Sequence, residues 1–326
     1  MNAFAATLAR LGLALATLCA AASLHAAPYP EHTVHLVVAA PAGGAMDTAA
    51  RILAEKLTAA WGTPVVVENK PGASGRVAAA AVARSAPDGY TFAVLTNSSF
   101  IDELLNPDDQ SVSPSRDLAP VTPVFSTPVV LVASNTIGVD TLAQYIALAK
   151  SKPGTISVGS SGKGTSTHFF TELLARQSGI DLIHIPYAGE APNLNNLFGG
   201  HVSSSFLSAV GARKAEASGK VRLLAITTPK RSPLLPQVPS FAELGVAGID
   251  ADSWAGVFAP AGTPPALIDR FAAEARRALS GADARAKLVA SGSEAMPGTA
   301  QDLARRIQSD KGYWTNAIKV TGISLK

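Results

Sequence analysis

Two glycine-rich segments hold most of the residue types that could bind a small molecule. The first, PAGGAMD, covers residues 41–47, and the second, GSSGKGTSTH, covers residues 159–168. Glycines let a backbone approach a ligand closely, and a helix that begins after such a turn offers unpaired N–H groups to an anion. Both segments therefore predict anion-binding loops, although either alone could be only a tight turn before a capped helix.

The same segments do not fit the common enzyme motifs. Lys163 is followed by glycine, whereas a phosphate-binding loop needs Ser or Thr there, and no G-x-S-x-G elbow surrounds Ser161. Ser166 and His168 are two residues apart and would not face each other on a helix. We expect no catalytic residues, no cofactor and no metal site. An exported serine hydrolase using Ser161 or Ser166 stays open as the less favoured alternative.

The first 26 residues have the pattern of a secretory signal peptide. Arg10 precedes an apolar run over residues 11–22, and small residues lead to Ala26. The run is too short and too rich in alanine for a good membrane-spanning helix. We predict cleavage between Ala26 and Ala27 and export to the periplasm. Cys19 would be removed with the signal, so the mature protein would contain no cysteine.

Composition excludes several classes of protein. The chain has 326 residues, 47% of them hydrophobic and only 16% charged, which argues against intrinsic disorder. Its net charge of +3 is spread without a basic run, which argues against a nucleic-acid partner.

Apolar runs typical of strands alternate with helical patterns along most of the chain. This alternation predicts an α/β protein with mainly parallel sheets, and the length favours two sheets. Ligands of such sheets sit where strands end and helices begin, which is where the two glycine-rich segments fall. The predicted strands are residues 34–40, 64–67, 91–95, 129–133, 156–159, 182–185, 221–226 and 254–258.

Several further blocks make the chain resemble the Bug family of substrate-binding receptors of tripartite tricarboxylate transporters. They include VVVENKPGASG at 65–75, IPYAGEAPNL at 185–194, KRSPLLPQVPSFAELGV at 230–246 and SWAGVFAPAGTP at 253–264. The similar blocks occur in order across essentially the whole mature chain.

The resemblance implies a type II periplasmic-binding-protein fold, in which two α/β domains enclose a ligand cleft. Domain 1 would comprise residues 27–127 and 248–326, and domain 2 residues 128–247. It also implies a monomer without enzymatic activity that captures a small organic carboxylate and delivers it to the membrane permease of the transporter. Signalling to a sensor kinase is an alternative that the sequence leaves open.

The resemblance also implies which residues face the ligand. Arg76, at a position where relatives often have a small or amide residue, would add a positive charge. The remaining implied residues are Ala42, Gly43, Gly44, Asp47, Asn97, Ser161, Gly164, Thr165, His168, Tyr187 and Gly189.

Two features bear on the chemistry of the ligand. Relatives often have acidic residues where this chain has Asn195–Asn196 and the serines at 203–205, so we expect an amino-acid ligand to be disfavoured. Thr165 is expected to donate its hydroxyl proton to the ligand anion, or else to act only as a helix cap.

Overall fold

The computed structural model describes residues 29–109 and 111–324. The predicted signal peptide and Cys19 lie outside these residues. The chain divides into two units after His32, and every element below belongs to the unit that begins at Thr33.

The first sheet has six strands in the order β11-β4-β10-β3-β1-β2. Strands β2 and β3 flank β1 in parallel, whereas β10 runs antiparallel to both of its neighbours. Its strands are β1 (Val34–Val38), β2 (Val65–Asn69), β3 (Thr91–Thr96), β4 (Leu118–Thr127), β10 (Ser253–Pro260) and β11 (Glu294–Ala295).

The second sheet has five strands in the order β7-β6-β8-β5-β9. Strands β7 and β8 flank β6 in parallel, and β5 runs antiparallel to β8 and β9. Its strands are β5 (Val129–Ser134), β6 (Ile156–Ser160), β7 (Leu182–Pro186), β8 (Ser204–Ser208) and β9 (Val221–Ile226).

Helices cover both faces of each sheet. In the part of the chain that the structure describes, none is long and apolar enough to cross a membrane. Short 3-10 turns occupy Ala73–Gly75 and Asn135–Ile137. The helices are α1 (Ala45–Trp61), α2 (Arg76–Ala83), α3 (Asn97–Leu105), α4 (Pro114–Asp117), α5 (Leu142–Ser151), α6 (Ser166–Ser178), α7 (Glu190–Phe198), α8 (Ala209–Ala217), α9 (Pro265–Ser280), α10 (Ala282–Ala290) and α11 (Ala300–Thr321).

The chain passes between the sheets at two places and bridges them at a third. Only Pro128 separates β4 of the first sheet from β5 of the second, and the return runs through residues 227–252. Helix α11 packs Leu303 into the core beneath the first sheet and Trp314 into the core of the second. The expected pair of α/β domains is therefore confirmed.

The expectation of mainly parallel sheets was wrong. Strand β4, which the apolar pattern did not reveal because prolines interrupt it, pairs antiparallel with β10. Strand β5 is likewise antiparallel to both neighbours. The two strands that run antiparallel to both of their neighbours, β10 and β5, each begin directly after a crossing between the sheets.

Gly159 of β6 lies where a strand and a helix approach most closely. It pairs with Ser205 of β8, and the side chain of Asn193 from α7 lies over it. A Cβ atom at Gly159 would lie 2.7 Å from the Ser205 hydroxyl oxygen and closer still to the Asn193 carbonyl oxygen. Asn193 and Ser205 are fully buried and hydrogen-bonded to each other, so neither side chain can move away from an added methyl group.

We therefore expect Gly159→Ala to lower the free energy of unfolding by about 1–3 kcal/mol, because the added methyl group overpacks this contact. Gly312→Ala is the matched control, since Gly312 is exposed on α11 with open space around its Cα. There the better helix propensity of alanine should raise the unfolding free energy by about 0.5–1 kcal/mol. Urea unfolding measures both; equal effects would contradict the assigned packing of α7 on β6.

Candidate functional site

A cavity of about 280 Å³ lies between the two sheets, at the ends of strands where helices begin. Both sheets contribute to its walls, as expected for a ligand cleft in a two-domain α/β protein. The lining residues are Ala45, Met46, Thr96, Ser98, Phe125, Thr127, Val129, Ser161, Thr165, Ser166, Thr167, Glu190, Ser208 and Ser253.

Four helices begin at this cavity without a side-chain cap. Three of them, α1, α3 and α6, have the N-cap residues Gly44, Thr96 and Thr165. The fourth, α7, follows Gly189 and begins with an acidic residue, Glu190. The first N–H groups of an α-helix have no partner within the helix, and the helix dipole adds partial positive charge there. Two of the four helices follow strands of the first sheet, and two follow strands of the second. Both sheets thus bring partial positive charge to the cavity.

Hydroxyl groups supplement these backbone donors. Ser98, Ser161 and Ser166 line the cavity, and their side chains make no hydrogen bond to any residue that the structure describes. Ser166 is the first residue of α6, so its hydroxyl lies beside the uncapped N–H groups.

Thr165 lines the same wall, but its hydroxyl proton is already used. The Thr165 hydroxyl donates to the Gly162 carbonyl over 2.7 Å and lies 2.9 Å from the Thr167 hydroxyl. Thr167 in turn accepts the Ser161 N–H. Thr165 also makes no capping bond to α6. It therefore fixes the loop at residues 161–164, a role different from both expectations drawn from the sequence.

Asp47 shapes the first loop rather than the cavity wall. Its buried carboxylate accepts hydrogen bonds from the Gly43 N–H, the Arg51 guanidinium and the Asn69 amide. Burial alone would raise the pKa of Asp47, but the hydrogen bonds from Arg51, Gly43 and Asn69 outweigh it and lower this pKa to about 2. The charged carboxylate thus holds the turn that precedes α1.

Residues 49–323 match the family model of the tripartite tricarboxylate transporter family receptor. The chain belongs to this receptor family. Its members are substrate-binding receptors rather than enzymes. The sequence is similar to protein BugT of Bordetella pertussis, with 33% identity over 325 residues that cover 98% of each chain. It is also 36% identical to a Cupriavidus necator protein over 271 residues, 81% of each chain.

Solved receptors share the fold and include two with dicarboxylates. An R. palustris protein with adipate has a TM-score of 0.82 and 32% identity, covering 91% of this chain and 99% of that one. MatC from Rhodopseudomonas palustris with bound malate has a TM-score of 0.76 and 30% identity, covering 89% and 100%. The periplasmic binding protein BugD has a TM-score of 0.76 and 30% identity, covering 91% and 99%.

The residues implied by the family resemblance fall into three groups. Ser161 and Thr165 line the cavity. Four more residues directly precede lining residues: Gly44, Asn97, Gly164 and Gly189. The remaining implied residues lie outside the lining: Ala42, Gly43, Asp47, Arg76, His168 and Tyr187. Sequence reasoning missed Ser98, Glu190 and Ser208; the acidic residue directly after the turn glycine Gly189 was the available signal.

Arg76 and Asn97 serve the scaffold in this receptor. The Arg76 guanidinium pairs with Asp102 and Asp109 and donates to the Ser111 hydroxyl, so its charge is neutralised away from the cavity. The buried Asn97 amide donates to the Asp252 carbonyl and fixes the segment that returns to the first sheet.

Trp254 faces a different cavity, of about 250 Å³, which also includes Phe100 and Trp314. Its indole N–H donates to buried Asp310, which pairs with Arg306 of α11. Trp254 is therefore part of the core beside the crossing segment rather than of the cavity between the sheets.

His168 and His184 support the second loop from behind. Their rings stack with centroids 3.9 Å apart, His168 Nδ1 accepts the Gly164 N–H, and His184 Nε2 lies 2.6 Å from the Ser160 hydroxyl. Ser160 is fully buried, so this Ser–His contact cannot serve as a nucleophile and base. Burial, with the nearby charges of His168 and Lys163, lowers the pKa of His184 to about 4.

This pair should make the protein less stable in acid. The unfolded chain binds a proton at His184 near its ordinary pKa of 6.5, whereas the folded chain does so only near 4. Stability therefore falls as the pH drops from 6.5 to 4, by up to about 3 kcal/mol. We expect His184→Gln to flatten the pH dependence of the unfolding free energy in this window. His201→Gln, at an exposed histidine, is the control; parallel curves for wild type and His184→Gln would contradict the assignment.

Proposed function

We propose that this receptor captures a small organic carboxylate in the cavity between its domains and delivers it to the membrane permease of a tripartite transporter. The convergence of uncapped helix starts from both sheets on one cavity carries the proposal. They supply partial positive charge there, and no lysine, arginine or histidine is among the described residues that line the cavity. The solved relatives with adipate and malate support the same ligand class.

The available donors suffice for useful affinity. A hydrogen bond to a charged group contributes about 1.5–3 kcal/mol, and a micromolar complex needs about 8 kcal/mol in total. The N–H groups of three helix starts and the hydroxyls of Ser98, Ser161 and Ser166 offer more donors than that total requires.

We further propose domain boundaries at 27–127 with 248–326, and at 128–247, with the end of α11 packed against domain 2. A hinge motion about the crossings would close the cavity over the ligand. Export through the predicted signal peptide and a monomeric state complete the proposal.

Ligand binding is tested by thermal unfolding and calorimetry against a library of mono-, di-, hydroxy- and amino-carboxylates. Each acid is paired with its neutral amide as a control. A ligand at 100 times its dissociation constant should add about 2.7 kcal/mol to the unfolding free energy. Binding of an amide as tightly as of its acid would contradict anion capture by the helix starts.

Thr165 and Ser166, at the start of α6, should behave differently when replaced. Ser166→Ala removes an uncommitted donor, so we expect affinity for the best library acid to fall by about 1.5–3 kcal/mol with little change in stability. Thr165→Val removes the bond to the Gly162 carbonyl, so it should lower stability by about 1 kcal/mol and affect affinity less. Calorimetry and unfolding separate these results, and a larger affinity loss for Thr165→Val would reverse the roles.

A further inference from the structure

Glu190 is the single ionisable side chain among the described residues that line the ligand cavity. An acidic group there opposes the positive character of the starts of α1, α3 and α6. Glu190 begins α7 directly after Gly189, a turn glycine with a φ of 107°. Its carboxylate reaches across to the N-cap of α8, Ser208, which also lines the cavity.

The carboxylate is held in a fitted position. One Glu190 oxygen accepts the Ser208 N–H over 2.5 Å, and the other accepts the Ser208 hydroxyl over 2.8 Å. The Ser208 hydroxyl oxygen meanwhile accepts the Gly211 N–H. A Cβ atom at residue 211 would lie 2.6 Å from the nearer Glu190 oxygen, so the absence of a side chain at Gly211 makes room for the carboxylate.

These bonds change what this wall offers to a ligand. Ser208 uses both its N–H and its hydroxyl proton on Glu190, so the start of α8 is already neutralised by an internal carboxylate. Each carboxylate oxygen can accept more than one hydrogen bond, so Glu190 retains acceptor capacity. The wall at Glu190 and Ser208 therefore accepts hydrogen bonds and repels a second anion, unlike the walls at α1, α3 and α6.

We propose that Glu190 determines specificity, by selecting carboxylates that also bear a hydrogen-bond donor, such as an ammonium or hydroxyl group. The carboxylate of the ligand would face the uncapped helix starts, and its donor group would face Glu190. This inference rests on the proposed function and narrows its ligand class.

The placement of the expected specificity residues agrees with this proposal. Asn195 is exposed, and Ser204 and Ser205 are buried in bonds to Ser157 and Asn193. None of them lines the cavity, so the lack of acidic residues at these positions does not disfavour an amino-acid ligand. Glu190 supplies the negative charge from a different turn.

The test compares matched ligands on matched variants by calorimetry. The probes are succinate, malate and aspartate, which share a four-carbon diacid and differ by hydrogen, hydroxyl or ammonium, together with butyrate, 2-hydroxybutyrate and 2-aminobutyrate. Glu190→Gln keeps the size and an acceptor oxygen but removes the charge. Glu216→Gln, on the exposed face of α8, is the control.

Wild type should bind the hydroxyl- or ammonium-bearing member of a series more tightly than its unsubstituted parent. Glu190→Gln should weaken the binding of that member by about 10- to 100-fold, while the affinity for the unsubstituted parent stays unchanged or rises. Ser208→Ala should lower stability yet retain discrimination, since it leaves the charge in place.

The specificity role would be overturned if Glu190→Gln still preferred the substituted acids as strongly as wild type does. An equal rise in affinity for every acid would overturn it too. Wild-type binding of unsubstituted acids alone would overturn it as well, and both results leave carboxylate capture standing. Failure of every acid in both series and in the wider library to bind wild type would instead overturn the proposed function.

Discussion

The site depends on one geometric constraint, that parallel strands of a sheet end at the same edge and their helices start there. Helices α1 and α3 follow the parallel strands β1 and β3 of the first sheet, and α6 and α7 follow the parallel strands β6 and β7 of the second. All four helices begin at the cavity. Because Gly44 and Thr165 provide no side-chain cap, the N–H groups at the starts of α1 and α6 remain available. A protein can in this way build a site for an anion without placing a lysine or arginine in it.

Two carboxylates of the protein itself, those of Asp47 and Glu190, restrict where positive charge is available at the cavity. Asp47 takes the Gly43 N–H for itself and fixes the turn before α1, so it removes one donor in order to position the others. Glu190 neutralises the start of α8, and its carboxylate gives this side of the cavity hydrogen-bond acceptors. Two acidic side chains near an anion site thus have different effects, which depend on whether the carboxylate lies behind the loop or on the cavity wall.

The antiparallel strands connect the site to the rest of the molecule. The segment from β4 to β5 places Thr127 and Val129 on the cavity wall, with Pro128 between them. Helix α11 joins the two cores through Leu303 and Trp314. The hinge closure that we propose would therefore have to be accommodated by these shared elements.

The sequence by itself determined the family, the two-domain α/β class and the two loops at the cavity, because glycine, hydroxyl residues and strand–helix alternation are local signals. Only the tertiary structure decided which side chains line the cavity. Arg76 and Asp47 were expected there, but ion pairs and hydrogen bonds with residues distant in sequence turn them to scaffold roles. Glu190 lies on the wall because Ser208 and Gly211, contributed by another strand and helix, receive its carboxylate, and no local pattern encodes that contact.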